Sequence, residues 1–92
     1  MSLPQEGTQS PETPVVRVHY WAAAKAAAGV AEETYDAATL GEALADAAKA
    51  HGPALEQVLA RCSFLVDGVR ADDTVALADG LVIEVLPPFA GG

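Results

Sequence analysis

Ninety-two residues, 51% of them apolar, allow one domain with a small core. Thirteen acids against five Lys and Arg give a net charge of −8, which argues against a nucleic-acid partner and suits attraction to basic protein surfaces. With no apolar run long enough to cross a membrane, no secretion signal and a single cysteine, Cys62, without metal-ligand spacing around it, a cytoplasmic protein with no membrane partner is expected.

Residues 1–14 (MSLPQEGTQSPETP) are polar, hold three prolines and show no apolar period; they read as a disordered leader. From Val15 to Trp21 the chain alternates. Val16, Val18 and Tyr20 share one face and Arg17, His19 and Trp21 the other, the pattern of a strand with one side in a core. Ala22 to Ala28 is an alanine-rich turn of helix around Lys25, ended by Gly29. Glu32 to Asp36 returns as a second strand.

Thr39-Leu40-Gly41-Glu42 has the spacing of a capping box, in which hydroxyl and carboxylate satisfy amides at a helix start. Leu40, Ala43, Leu44, Ala47 and Ala48 then fall on one helical face, and Gly52-Pro53 closes the helix after His51. Ala54 to Arg61 predicts a second helical segment. Phe64-Leu65-Val66, Asp67-Gly68 and Val69-Arg70 read as strand, tight turn and strand. Asp72-Asp73 falls in a loop, and Asp79-Gly80 turns into a last strand, Leu81 to Leu86. One principal helix among these strands makes residues 15–86 an α+β domain.

The most informative segment is the last, Pro87-Pro88-Phe89-Ala90-Gly91-Gly92. Two prolines lack the amide donors of a ladder and stop the strand. At average Gly and Pro usage, a terminal Gly-Gly behind Pro-Pro arises by chance in roughly one chain in 10⁵. Six residues extend to about 20 Å, enough to carry a carboxylate into a narrow active site while the body stays at its mouth. Gly91 and Gly92 lack a Cβ, so other backbone can approach closely. No residue of this arm is an acid, base or metal ligand, so residues 87–92 read as a flexible tail whose reactive group is the terminal carboxylate of Gly92.

With the PPFAGG tail stand the opening VRVHYWAAAKAAAG and the segments TLGEAL and DDTVALADG. On these, the chain from Val15 to Gly92 resembles the small, sulfur-carrying subunit of molybdopterin synthase, a ubiquitin-like β-grasp family. Lys25 stands where the family more often has Arg, Leu81 where an acid commonly follows the Asp-Gly, and the leader is extra. The resemblance implies a β-grasp fold, a mixed sheet of four to five strands packed on one main helix. It implies that an adenylyltransferase of the ubiquitin-activating type uses ATP and magnesium to convert the Gly92 carboxylate to an acyl-adenylate. A persulfide donor then supplies the sulfur that makes a thiocarboxylate, and the loaded tail enters the large synthase subunit, in a heterotetramer, to sulfurate the pterin precursor. No cofactor would stay bound to this chain, which would not catalyse alone.

Within that frame Gly92 is the reactive residue, Gly91 its permissive neighbour, and Pro87, Pro88, Phe89 and Ala90 the arm. Leu86, Val82 and Trp21, apolar side chains on the polar faces of their strands, are the expected docking anchors. His19 and His51 read as surface histidines and Cys62 as a buried, inert thiol; no metal site is expected. Carriers of thiamine or cysteine biosynthesis share the tail chemistry, though the Pro-Pro pair favours the molybdopterin branch. A ubiquitin-like protein modifier, joined through Gly92 to lysines, and a binding module with an inert tail are also compatible with these residues.

Overall fold

The computed structural model of the chain describes residues 13–88. Alternation settles the first strand, β1 (Val15–Tyr20), which turns Val16, Val18 and Tyr20 into the interior and leaves Arg17 and His19 on the opposite face. The strand stops one residue before the expected Trp21. Trp21 keeps extended dihedrals and becomes the N-cap residue of α1 (Ala22–Ala28), whose first residue, Ala22, has a φ of 48°. A left-handed alanine costs about 1 kcal/mol or more, and it reverses the chain sharply beside Trp21. β2 (Glu32–Asp36) then runs antiparallel to β1, with Tyr35 opposite Val16 and Glu33 opposite Val18.

The principal helix, α2 (Leu40–His51), begins as its sequence predicts: Thr39 Oγ1 accepts the Glu42 amide at 3.2 Å. The reciprocal bond differs from the expected box, since Glu42 Oε1 accepts the amide of Ala38, at 2.9 Å. Residues 38–40 lie extended along residues 75–77, with Leu77 N–H donating to the Ala38 carbonyl and Leu40 N–H to that of Val75. Gly41 sits at a close approach: its amide donates to the Asp73 carbonyl at 2.9 Å, and an added Cβ would stand 3.2 Å from that oxygen, close enough that the Asp73 loop would have to give by a few tenths of an ångström. Asp73 itself belongs to a loop, as expected, in which Asp72 Oδ1 accepts both the amide and the hydroxyl of Thr74. Those bonds hold the Asp72 carboxyl below its ordinary range.

Pro53 opens α3 (Pro53–Leu59) in the first turn, where a missing amide costs nothing. Leu55 and Leu59 of this helix are buried, and it packs against α1 and α2. β3 (Ser63–Val66) and β4 (Val69–Arg70) form a hairpin on a two-residue turn with positive φ at both Asp67 (53°) and Gly68 (84°), the geometry that matches strand twist. β5 (Val82–Leu86) starts one residue later than the sequence suggests. Leu81 donates its amide to the Ala78 carbonyl in the preceding turn, at 3.2 Å.

The five strands make one mixed sheet in the order β2-β1-β5-β3-β4, with β1 and β5 parallel at its centre and the other neighbours antiparallel. Val16, Val18, Ile83 and Val85 of the inner face share a core with Leu40, Ala43 and Ala47 of α2 and with Leu55 and Leu59 of α3. The small residues of α2 let it lie close to the sheet. All three helices contribute buried residues to this one core.

Candidate docking face and carboxyl-terminal arm

With Ile83 and Val85 buried, the period of β5 turns Val82, Glu84 and Leu86 outward, and each is half-buried. Register sets their neighbours: Arg17 beside Val82, His19 and Leu65 on either side of Glu84, and Ser63 beside Leu86. The expected anchors Val82 and Leu86 therefore lie on one face of the central strand. α3 does not cover them, since its apolar side belongs to the core on the opposite face.

Trp21 joins this face from the end of β1. Its amide donates to the Val85 carbonyl at 3.2 Å, fixing its backbone beside the end of β5. Its ring lies against His19, with centroids 4.3 Å apart and planes tilted by 32°, and its Nε1–H donates to Glu84 Oε1 at 2.6 Å. His19 Nδ1 stands 3.4 Å from the same oxygen. Trp21 nevertheless remains 45% exposed, so an aromatic surface is held in place without being hidden. The three anchors named from the sequence thus converge on one surface.

Leu65 was missed. Phe64 packs on the core and Val66 is buried, so the alternation of β3 turns Leu65 outward and half-buried beside Glu84. That alternation was available in the sequence, but a three-residue run next to a turn reads as core before it reads as two-sided. Leu86 leads directly into Pro87, half-buried, and Pro88, exposed. Phe89, Ala90, Gly91 and Gly92 lie outside the described residues, as do residues 1–12 of the expected leader.

A second polar cluster was not anticipated. Glu33 Oε2 accepts the hydroxyls of Tyr20 and Tyr35, both at 2.7 Å, and contacts His51 Nε2 at 2.6 Å. His51 is therefore not the free surface histidine expected; its side chain is 19% exposed and ties the end of α2 to β2. Burial pushes the Glu33 carboxyl up, but hydrogen bonds from Tyr20, Tyr35 and His51 outweigh it and hold the group below its ordinary range. Burial and the Glu33 bond raise both tyrosines, Tyr35 to about 12. Cys62 is half-buried, its Sγ–H donates to the Val58 carbonyl at 3.2 Å, and burial raises the thiol. Among the described residues no group of three or more His, Cys, Asp or Glu is placed to hold a metal ion. No helix among them is long and apolar enough to cross a membrane.

The model of the ThiS family matches residues 18–92. The chain belongs to the ThiS family. It is 38% identical over 82 residues to the molybdopterin synthase sulfur carrier subunit of Chlamydomonas reinhardtii, an alignment covering 84% of this chain and 98% of that one. Among solved structures, small archaeal modifier protein 1 of Haloferax volcanii superposes with a TM-score of 0.76 at 29% identity, covering 85% of this chain and 99% of its own. One chain of the protein–protein complex of subunits 1 and 2 of the molybdopterin-converting factor of Helicobacter pylori gives a TM-score of 0.62 at 26% identity, with 85% of this chain and 99% of that chain covered. The ThiS-family fold here is the β-grasp expected from the resemblance, its mixed sheet having five strands. The chain is a homologue of the small subunit of molybdopterin synthase.

Proposed function

We propose that this ThiS-family chain is a sulfur carrier and the small subunit of a molybdopterin synthase, with the C-terminal carboxylate of Gly92 as the group that is loaded. The observation that carries this reading is the 38% identity to the sulfur carrier subunit, sustained over 98% of that protein's length. The arrangement of β5 is in keeping with it. An outward face bearing Val82, Leu86 and Trp21 lies at the root of Pro87 and Pro88, so a body docked through that face would aim the tail at its partner.

A carboxylate is a poor electrophile, so an activating enzyme must first exchange one oxygen's negative charge for a leaving group. An adenylyltransferase, with ATP and magnesium, forms the Gly92 acyl-adenylate and releases pyrophosphate. The terminal sulfur of a persulfide donor attacks the acyl carbon and expels AMP, and a second thiol cleaves the resulting acyl disulfide to leave the thiocarboxylate. The thiocarboxylate is an ionised, soft nucleophile whose sulfur bonds to an electrophilic carbon of the pterin precursor within the large subunit and displaces an oxygen substituent there. Water then cleaves the acyl–sulfur bond, which leaves the sulfur on the pterin and restores the Gly92 carboxylate. Phe89, Ala90 and Gly91 are the part of the arm that enters with Gly92. ATP and magnesium belong to the activating enzyme rather than to this chain.

Intact mass after incubation with the activating enzyme, ATP, magnesium and a persulfide donor should rise by the exchange of one oxygen for sulfur, localised to Gly92. Deleting Gly92 should abolish both the gain and pterin sulfuration while leaving the fold intact. A Gly92-deleted protein that still supports sulfuration would overturn the reading. The likeness to an archaeal modifier protein gives a second reading, isopeptide attachment of Gly92 to lysines, which would appear as conjugates that survive thiols and boiling.

A further inference from the structure

Glu84 stands where two rows of the outer sheet face cross. Along β5 it lies between Val82 and Leu86, and across the sheet between His19 and Leu65. Trp21 completes the surround. A carboxylate is thus set among four apolar side chains, on the face that the docking reading assigns to the partner. Both contacts the structure gives it, Trp21 Nε1 at 2.6 Å and His19 Nδ1 at 3.4 Å, fall on Oε1. Among the described residues, Oε2 has no hydrogen-bond or ion-pair partner, and the side chain is 29% exposed, so the carboxylate is within reach of water in the free protein.

Docking would remove this water. A carboxylate oxygen stripped of solvent without a replacement donor is strongly unfavourable, and apolar contact around it lowers the local dielectric and makes the loss worse. The face can be covered tightly only by a surface that returns a donor, and a charged donor recovers the most. Neither arginine on this side of the sheet reaches Oε2, Arg17 lying 3.9 Å from Glu32 and Arg70 3.4 Å from the Ser63 hydroxyl, which leaves the place open to a donor from the partner. The Trp21 bond fixes Oε1 and with it the plane of the carboxylate, so Oε2 is presented in advance of binding.

We infer that the partner covering this face presents a cationic side chain, best a planar guanidinium, to Oε2 of Glu84, ringed by contacts to Val82, Leu86, Leu65 and Trp21. The inference rests on the docking reading and adds to it the chemistry of the partner's central residue. The net charge of −8 favours the same sign of partner at longer range.

The test is calorimetric titration of the full chain with the large synthase subunit of the same organism, at low and high salt. Glu84→Gln keeps an acceptor for Trp21 and removes the charge; Glu56→Gln, on exposed α3 behind the sheet, makes the same change in net charge elsewhere. Glu84→Gln should weaken binding by about tenfold or more and flatten its salt dependence, while Glu56→Gln stays within about twofold of the parent. Trp21 is the sole tryptophan, so an unchanged emission spectrum shows that its ring has stayed in place. Should the emission shift, Glu84→Lys is tested against Glu replacements of each Arg and Lys of the large subunit. One replacement that restores affinity supports the inference, and none that does overturns it. A parent that binds while Glu84→Gln, its Trp21 emission unchanged, binds equally well also overturns it, leaving the docking reading standing. A parent that does not bind removes both.

Discussion

Glu33 and Glu84 occupy the same sheet, on β2 and β5 with β1 between them, and have opposite surroundings. Glu33 faces the helices from β2, and three groups from β1, β2 and α2 converge on its Oε2. Glu84 faces away from the helices on the central strand, with one short bond to Oε1. Both side chains are about equally accessible, at 24% and 29%, so exposure does not tell them apart. The bonds and the surroundings do: three donors on one Glu33 oxygen tie β1, β2 and α2 together and serve the fold, whereas Glu84 takes one short bond and lies among apolar side chains on the outer face, where a partner can reach it.

The sharpest way to separate the two faces is to compare adjacent residues of β5. Ile83→Ala opens a cavity beneath the sheet and should cost about 2–5 kcal/mol in denaturant unfolding. Val82→Ala, one residue away on the outer face, should cost less than about 1 kcal/mol and act instead on affinity for the large subunit. Equal losses of stability would mean that the outer face is packed as tightly as the inner one.

The glutamates themselves are separated by a smaller effect. Glu33→Ala leaves the nearly inaccessible Tyr20 hydroxyl without its acceptor and should destabilise by about 1–3 kcal/mol. Glu84→Gln retains an acceptor for Trp21 and should stay within about 0.5 kcal/mol of the parent. Chemical denaturation of both variants, followed by circular dichroism, checks the pair. A Glu84→Gln protein as unstable as Glu33→Ala would make the Trp21 clamp a fold element and leave the outer face without a spare acceptor.

What could be read in advance follows the range of each interaction. The alternation from Val15 to Tyr20, the hydroxyl cap at Thr39 and the Asp67-Gly68 turn are decided by residues within a few positions of one another, and each lies where its sequence puts it. Strand ends drifted by one residue at Trp21 and Leu81, because the chain there enters a helix or a turn whose backbone bonds compete with the ladder. The outward orientation of Val82 and Leu86 was legible because β5 alternates and Glu84 marks its polar side. The Glu33 cluster was not, because it joins residues 2, 13 and 18 positions apart through a pairing and a helix end that only the assembled sheet brings together. The Trp21–Glu84 bond spans 63 positions and depends on β1 and β5 lying parallel, which no local signal specifies.

Acid should sharpen the contrast further, by a smaller amount. The Glu33 carboxyl is held below its ordinary range in the folded protein because the hydrogen bonds of Tyr20, Tyr35 and His51 outweigh the opposing effect of burial. Its contribution is therefore fully present above the unfolded value, about 4.3, and is lost as pH falls through the lower folded value. Glu33→Gln does not titrate, so the stability gap between parent and variant should be constant from neutrality down to about pH 5 and close below about pH 4. The tyrosines work in the other direction: both are raised, Tyr35 to about 12, so their contribution is present below about pH 10 and is lost as pH rises toward the folded values. Urea unfolding of parent and Glu33→Gln across that range reads both limbs. A gap that persists unchanged into acid would mean that packing, rather than a charge-assisted set of bonds, is what Glu33 gives the fold, and the distinction from Glu84 would then rest on geometry alone.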